Sequence, residues 1–191
     1  PSKKHLFSTR VDWNLNNANN FTFGYQLGRS NDLRQFSGTN RLADALIGRI
    51  RDSDAFNATH NLILGSKTVN QARFFSASTS GSSDRKEDRI QLQDTLTHLI
   101  GGHSLKFGGD YQNVRTRFID RFDATGTYRF SNFFFFNQNN VSSFQQNFNT
   151  ESDLENNYLG AFFQDEWRIR PNLTFSFGLR YERETVVDDD N

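Results

Sequence analysis

Three short stretches carry ionisable and amide side chains on one parity, and that spacing limits the chemistry they can do. Gln164, Glu166 and Arg168 stand two apart, Arg180 and Glu182 repeat the interval, and Lys106, Asp110 and Gln112 share a parity within a third stretch. In an extended strand, residues two apart lie on one face. Each stretch therefore presents a row of cations, carboxylates and amides on one side. Such rows hold water, ions and hydrogen-bonding solutes, so they suit the wall of a wet passage. Cross-strand neutralisation among Glu166, Arg168, Arg180 and Glu182 is expected, because a tight turn joins the two strands that carry them.

Reaction chemistry finds little support. His5, His60, His98 and His103 lack a metal-ligand spacing, and the chain has no cysteine. No Ser-His-Asp set or phosphate loop is recognisable, since Gly101-Gly102 and Gly108-Gly109 read as turn and strand glycines. The run Asp188–Asp190 reads as a solvated loop rather than a calcium site. No enzyme activity, cofactor or metal is expected. Lys plus Arg and Asp plus Glu each number 22, so no net charge calls for nucleic acid as a partner.

The elements that position these rows are strands with two unlike faces. In Leu173–Tyr181, Leu173, Phe175, Phe177, Leu179 and Tyr181 alternate with Thr174, Ser176, Gly178 and Arg180. Before the Arg170-Pro171-Asn172 break, Leu159, Ala161, Phe163, Trp167 and Ile169 keep the same parity. Hairpins of the same format recur at Val11–Gly28 and Leu92–Tyr111, and a weaker pair joins near Lys67-Thr68. About eight strands are expected, over 5–13, 20–30, 57–66, 70–79, 87–100, 103–118, 156–169 and 172–185. Short turns fall near 14–19, 66–70, 101–103 and 170–172, and longer connections near 31–55, 79–86 and 119–154.

Several of these strands exceed the roughly 9–11 residues a tilted strand needs to cross a bilayer. Tight turns at one end and long loops at the other is the layout of an antiparallel up-and-down transmembrane barrel. Mean hydropathy is −0.74 although the chain holds 21 Phe, which suits strands with one lipid-facing side. No apolar run is long enough for a spanning helix. On this layout the apolar parity faces outer-membrane lipid. Lys106, Asp110, Gln112, Gln164, Glu166, Arg168, Arg180 and Glu182 then face the lumen. Asp94 and Asp165 fall on the apolar parity, so each is expected at a parity-flipping bulge or at the membrane interface. An antiparallel sheet with its polar face in bulk water, serving as a soluble or surface-attached binding module for carbohydrate or peptide, is the alternative. A passive porin is a third reading.

The stretch "NNYLGAFFQDEWRIRPNLTFSFGLRYE" (Asn156–Glu182) resembles the barrel hairpin of TonB-dependent outer-membrane receptors. That family pattern is Tyr-x-Ala-x-Phe-x-Gln-Asp-x-Trp, a Pro-containing turn, then Leu-Thr-x-x-x-Gly-Leu-Arg-Tyr-Glu. "GGHSLKFGGDYQ" (Gly101–Gln112) is similar to a second such strand of the Oar-like branch, whose members carry a carboxypeptidase-regulatory-like N-terminal domain. The resemblance implies a 22-stranded barrel around an N-terminal plug, importing a scarce ligand with energy delivered through the TonB complex. No plug, TonB box or terminal aromatic strand is legible. Residues 1–191 are therefore expected to form a partial barrel domain, coupled to TonB through a missing N-terminal part. The ligand is a small molecule, saccharide or peptide that the sequence leaves unspecified. In Phe130–Asn149, the rings of Phe133, Phe134, Phe135 and Phe136 either contact that ligand or pack within a folded outer loop.

Overall fold

The computed structural model describes residues 3–34, 47–81, 85–119, 125–148 and 151–185. The strands are β1 (Lys3–Asn16), β2 (Asn19–Arg34), β3 (Ile47–Leu64), β4 (Thr68–Gly81), β5 (Arg85–Ile100) and β6 (His103–Ile119). A small excursion follows: β7 (Thr127–Arg129), the short helix α1 (Phe133–Asn137) and β8 (Ser143–Gln145). The chain then returns through β9 (Glu151–Arg170) and β10 (Leu173–Glu184). Eight strands form one antiparallel meander in the order β1-β2-β3-β4-β5-β6-β9-β10, while β7 and β8 pair separately. All eight expected strands are present, and the fold is all-β apart from α1.

Local chemistry explains the tight turns. Asn16 Oδ1 accepts from the backbone N–H groups of Ala18 and Asn19, both at 2.9 Å, which closes the Asn-rich turn. Gly101, at φ 59°, supplies the left-handed turn residue between β5 and β6. The connections at the other end are shorter than expected in two places: the segment expected near 31–55 narrows to 35–46, because β2 continues to Arg34 and β3 begins at Ile47. The long segment expected near 79–86 contracts to 82–84, because β4 continues to Gly81 and β5 begins at Arg85. That Ser-rich stretch is polar at both parities, so alternation could not show that it extends the hairpin.

Register divides the sheet into two faces, since residues opposite one another share a side. On one face, Leu159, Ala161, Phe163 and Trp167 of β9 oppose Tyr111, Gly109, Phe107 and His103 of β6. Phe175, Phe177, Leu179 and Tyr181 of β10 join them. On β5 the same face runs from Ile90 to Ile100, about 33 Å of strand, or about 25 Å when tilted as barrel strands are. That matches the apolar band of an outer-membrane barrel. Aromatic rings gather near its tight-turn edge: Trp13 stacks on Phe21 at 5.5 Å, Phe21 on His60 at 4.3 Å, and His103 on Trp167 at 5.2 Å.

Beyond the band the same face turns ionic. Arg29 pairs with Asp54 at 3.0 Å, Lys86 with Asp88 at 2.7 Å and Arg115 with Asp153 at 2.6 Å; Arg117 pairs with Glu151. An Arg115 hydrogen bond holds the Asp153 carboxyl below the usual carboxylate range, and Lys86 does the same for Asp88. The strands thus project past the apolar band into water. Among the described residues no hydrophobic side chain is buried, whereas a water-soluble domain of this length would enclose a core. The sheet is a single layer whose apolar side requires a non-aqueous neighbour.

Asp94 and Asp165 both remain on the apolar face, and no bulge flips either of them. Among the described residues register shifts occur only beside turns, between Asn14 and Asn16 and between Leu173 and Thr174. Asp165 lies two residues from Trp167, at the aromatic edge of the band. Asp94 lies six residues along β5 from Ile100 and four from Ile90, well inside it.

Candidate functional site

The opposite face carries the polar rows. Lys106 opposes Gln164, Ser104 opposes Glu166, Asp110 opposes Gly160 and Gln112 opposes Tyr158 across β6 and β9. Arg168, Arg180 and Glu182 oppose Thr174, Phe162 and Gly160 across β9 and β10. Lys106, Asp110, Gln112, Gln164, Glu166, Arg168, Arg180 and Glu182 therefore share one side of the sheet.

Their partners differ from the expected cross-strand ion pairs. Arg180 pairs with Glu182 on its own strand and donates across to Tyr158 Oη at 2.8 Å. Arg168 donates to the Pro171 carbonyl at 3.4 Å, and Glu166 accepts from Gln164 at 3.5 Å. Register is the cause. It places Arg180 opposite Phe162 and Glu166 opposite Ser176, so no cation of this group stands directly across from a carboxylate. Asp110 accepts from Gln91 Nε2, which lies 3.1 Å from each carboxylate oxygen.

Strands beyond the legible hairpins supply the rest of this face. Arg73, Gln71, Gln93, Thr95 and Thr97 lie on it by register, and sequence reading missed them. In "NQARFFSAST" neither parity is cleanly apolar, so only the pairing with β5 reveals which side Arg73 takes. A depression of about 440 Å³ is lined from Asn61 on β3 to Arg180 on β10, and every described lining residue belongs to the polar face. Laid flat, β3 and β10 would be about 24 Å apart, at about 4.8 Å per strand. One depression can draw lining from both only if this face is concave.

His98 and His103 do not form a shared site. His98 Nδ1 lies 2.8 Å from Thr68 Oγ1, whereas His103 Nδ1 lies 2.7 Å from Asp165 Oδ2. Among the described residues no three His, Asp or Glu side chains gather as a cation site. The run Asp188–Asp190 lies outside the described residues.

The aromatic excursion is a folded unit of its own. Asn132 caps α1 by accepting from the Phe135 N–H at 3.1 Å, and Phe130 meets Phe136 edge-on at 5.1 Å. Phe133 and Phe134 stay 75% and 62% exposed, and Phe136 is exposed beside them. Phe135 is half-buried against Phe134 at 5.6 Å. Among the described residues β7, α1 and β8 make no contact with the large sheet.

A family model described as an outer membrane beta barrel domain matches residues 74–191, more than half of the chain. The chain belongs to the outer-membrane β-barrel domain family. It is accordingly a protein of the bacterial outer membrane, which sets aside the soluble-module reading. No curated protein and no solved structure matches it. The matched span begins within β4, yet β1 to β3 continue the same sheet in the same register, so the barrel wall extends upstream of it.

Proposed function

We propose that this chain is an arc of a TonB-dependent receptor barrel of the Oar-like kind, importing a ligand across the outer membrane through a polar lumen. The concave polar face carries the reading. Six strands contribute to one wet depression, while the apolar band covers the opposite, convex side. The Asn156–Glu182 and Gly101–Gln112 motifs favour the TonB-dependent class over other barrels. Among the described residues the paired strands form a row with two free edges, β1 and β10. In a bilayer each unpaired backbone group is costly, so further strands close the wall. A wall of 22 strands agrees with the class that the motifs resemble.

On this reading Lys106, Asp110, Gln112, Gln164, Glu166, Arg168, Arg180 and Glu182 line the lumen and guide hydrated solute. The loop bearing Phe133 to Phe136 stands at the outer end, where its exposed rings meet the ligand first. The full-length protein is the right test object. Capture of the periplasmic domain of TonB, together with a barrel that stays electrically closed in planar bilayers, is the expected result. Steady conductance without TonB capture would instead make the protein a passive porin.

A further inference from the structure

The charges on the concave face are unevenly compensated. Arg10 pairs with Asp12 at 2.8 Å, while Arg85 and Arg89 share Glu87 at 3.3 and 3.4 Å. The depression that reaches from β3 to β10 is different. Among the described residues its ionisable lining consists of Arg73, Lys106 and Arg180, with no carboxylate. Arg180 is matched by Glu182. Among the described residues Arg73 reaches only the neutral amide oxygen of Gln93, at 3.3 Å. Lys106 has no hydrogen-bond or ion-pair partner among the described residues. Asp110, four residues along β6 from Lys106, is engaged by Gln91 and does not line the depression.

We propose that this depression is a subsite for an oxyanion, the carboxylate or phosphate of a solute in the lumen. The proposal rests on the polar face being the lumen wall. Two uncompensated cations in one concavity attract an anion, and a concave low-dielectric wall concentrates their field. Thr95 and Thr97 add hydroxyl donors beside them. Phe162 supplies an apolar shelf, its ring folded over Gly108, where a Cβ would come within 2.9 Å of it. The ligand class is therefore a small anionic solute with its acid group on Arg73 and Lys106 and its apolar part on Phe162.

Acylation of Lys106 in the full-length protein, held in lipid nanodiscs so that both ends of the barrel meet bulk water and read by mass spectrometry, tests this. One amine reagent is membrane-impermeant and the other permeant. The probes are inorganic phosphate and succinate, each at ten times a millimolar dissociation constant. The expected result is labelling of Lys106 by the impermeant reagent, slowed about tenfold by at least one probe through simple occupancy. Arg73→Gln should abolish the protection, whereas Arg85→Gln should leave it intact. Protection by phosphate alone or succinate alone assigns the acid group. Labelling that neither anion slows overturns the subsite but leaves the lumen reading standing. Labelling by the permeant reagent alone means that the face meets lipid, and overturns both. Failure of both reagents means that a protein segment already covers the cations, and overturns the solute subsite.

Discussion

Asp165 and Asp94 lie on the same apolar face and are accommodated in opposite ways. Asp165 is 4% exposed, sits at the aromatic edge of the band and is held by His103, itself stacked on Trp167. Asp94 is exposed within the band, and the Asn70 amide nitrogen lies 2.9 and 3.1 Å from its two carboxylate oxygens. Its in-register neighbours are Ala72 and Gly109, too small to cover it. A carboxylate on a lipid-facing wall thus survives either under a cover of neighbouring side chains near water or in a notch with one amide donor. The first arrangement is structural and the second is a weak point in the band.

The largest expected effect is on the covered carboxylate. His103→Ala leaves Asp165 buried without its donor and should cost about 2–3 kcal/mol, below a fully buried pair because His103 is 39% exposed on its side chain. Denaturant unfolding in lipid, run as a cycle with Asp165→Asn, checks it. Purely additive losses would break the pairing.

Gly108→Ala sharpens the contrast from the other side of the wall. Its Cβ would stand 2.2 Å from the Asp94 carbonyl oxygen, so β5 must shift where the notch lies. A loss of about 1–2 kcal/mol in the same assay is expected. Asp94→Leu should instead stabilise the membrane-inserted protein, by about 1 kcal/mol, since an exposed carboxylate leaves the band. A loss on that substitution would show that Asp94 faces something other than lipid.

The smallest effect belongs to the ion pairs above the band, where water screens both partners. Asp153 and Asp88 have carboxyls held below their unfolded range by Arg115 and Lys86. Their contribution is therefore fully present above about pH 4 and is lost as pH falls through the lower folded values. Stability attributable to them should be flat from neutral pH down to about 5 and decline below about 4, with Arg115→Gln flattening that decline. A decline centred near neutral pH that Arg115→Gln removes would contradict the assignment.

Legibility in the sequence follows the same division between band and rim. The last hairpin was readable to within a few residues at its turn, because Leu159–Tyr181 alternates while one face meets an apolar medium. Past Leu159 and Ile90 both faces meet water, so alternation fades. The sequence therefore understated β9, which starts at Glu151, and mistook the β4–β5 connection for a long loop. Parity placed the eight polar residues of β6, β9 and β10 on one face. It could not find Arg73, or the His103–Asp165 contact spanning 62 positions, because both depend on which strands become neighbours. The cross-strand ion pairs failed for the same reason, since register decides who stands opposite whom.

The central claim is that one face of this sheet meets lipid and the other a wet lumen. Spin labels placed singly at Phe175 and Ser176 of the full-length protein in bilayers test it most directly. The prediction is high accessibility to dissolved oxygen and low accessibility to a water-soluble nickel relaxer at position 175, with the reverse at position 176. Equal accessibilities at the two positions, or the opposite order, would contradict it.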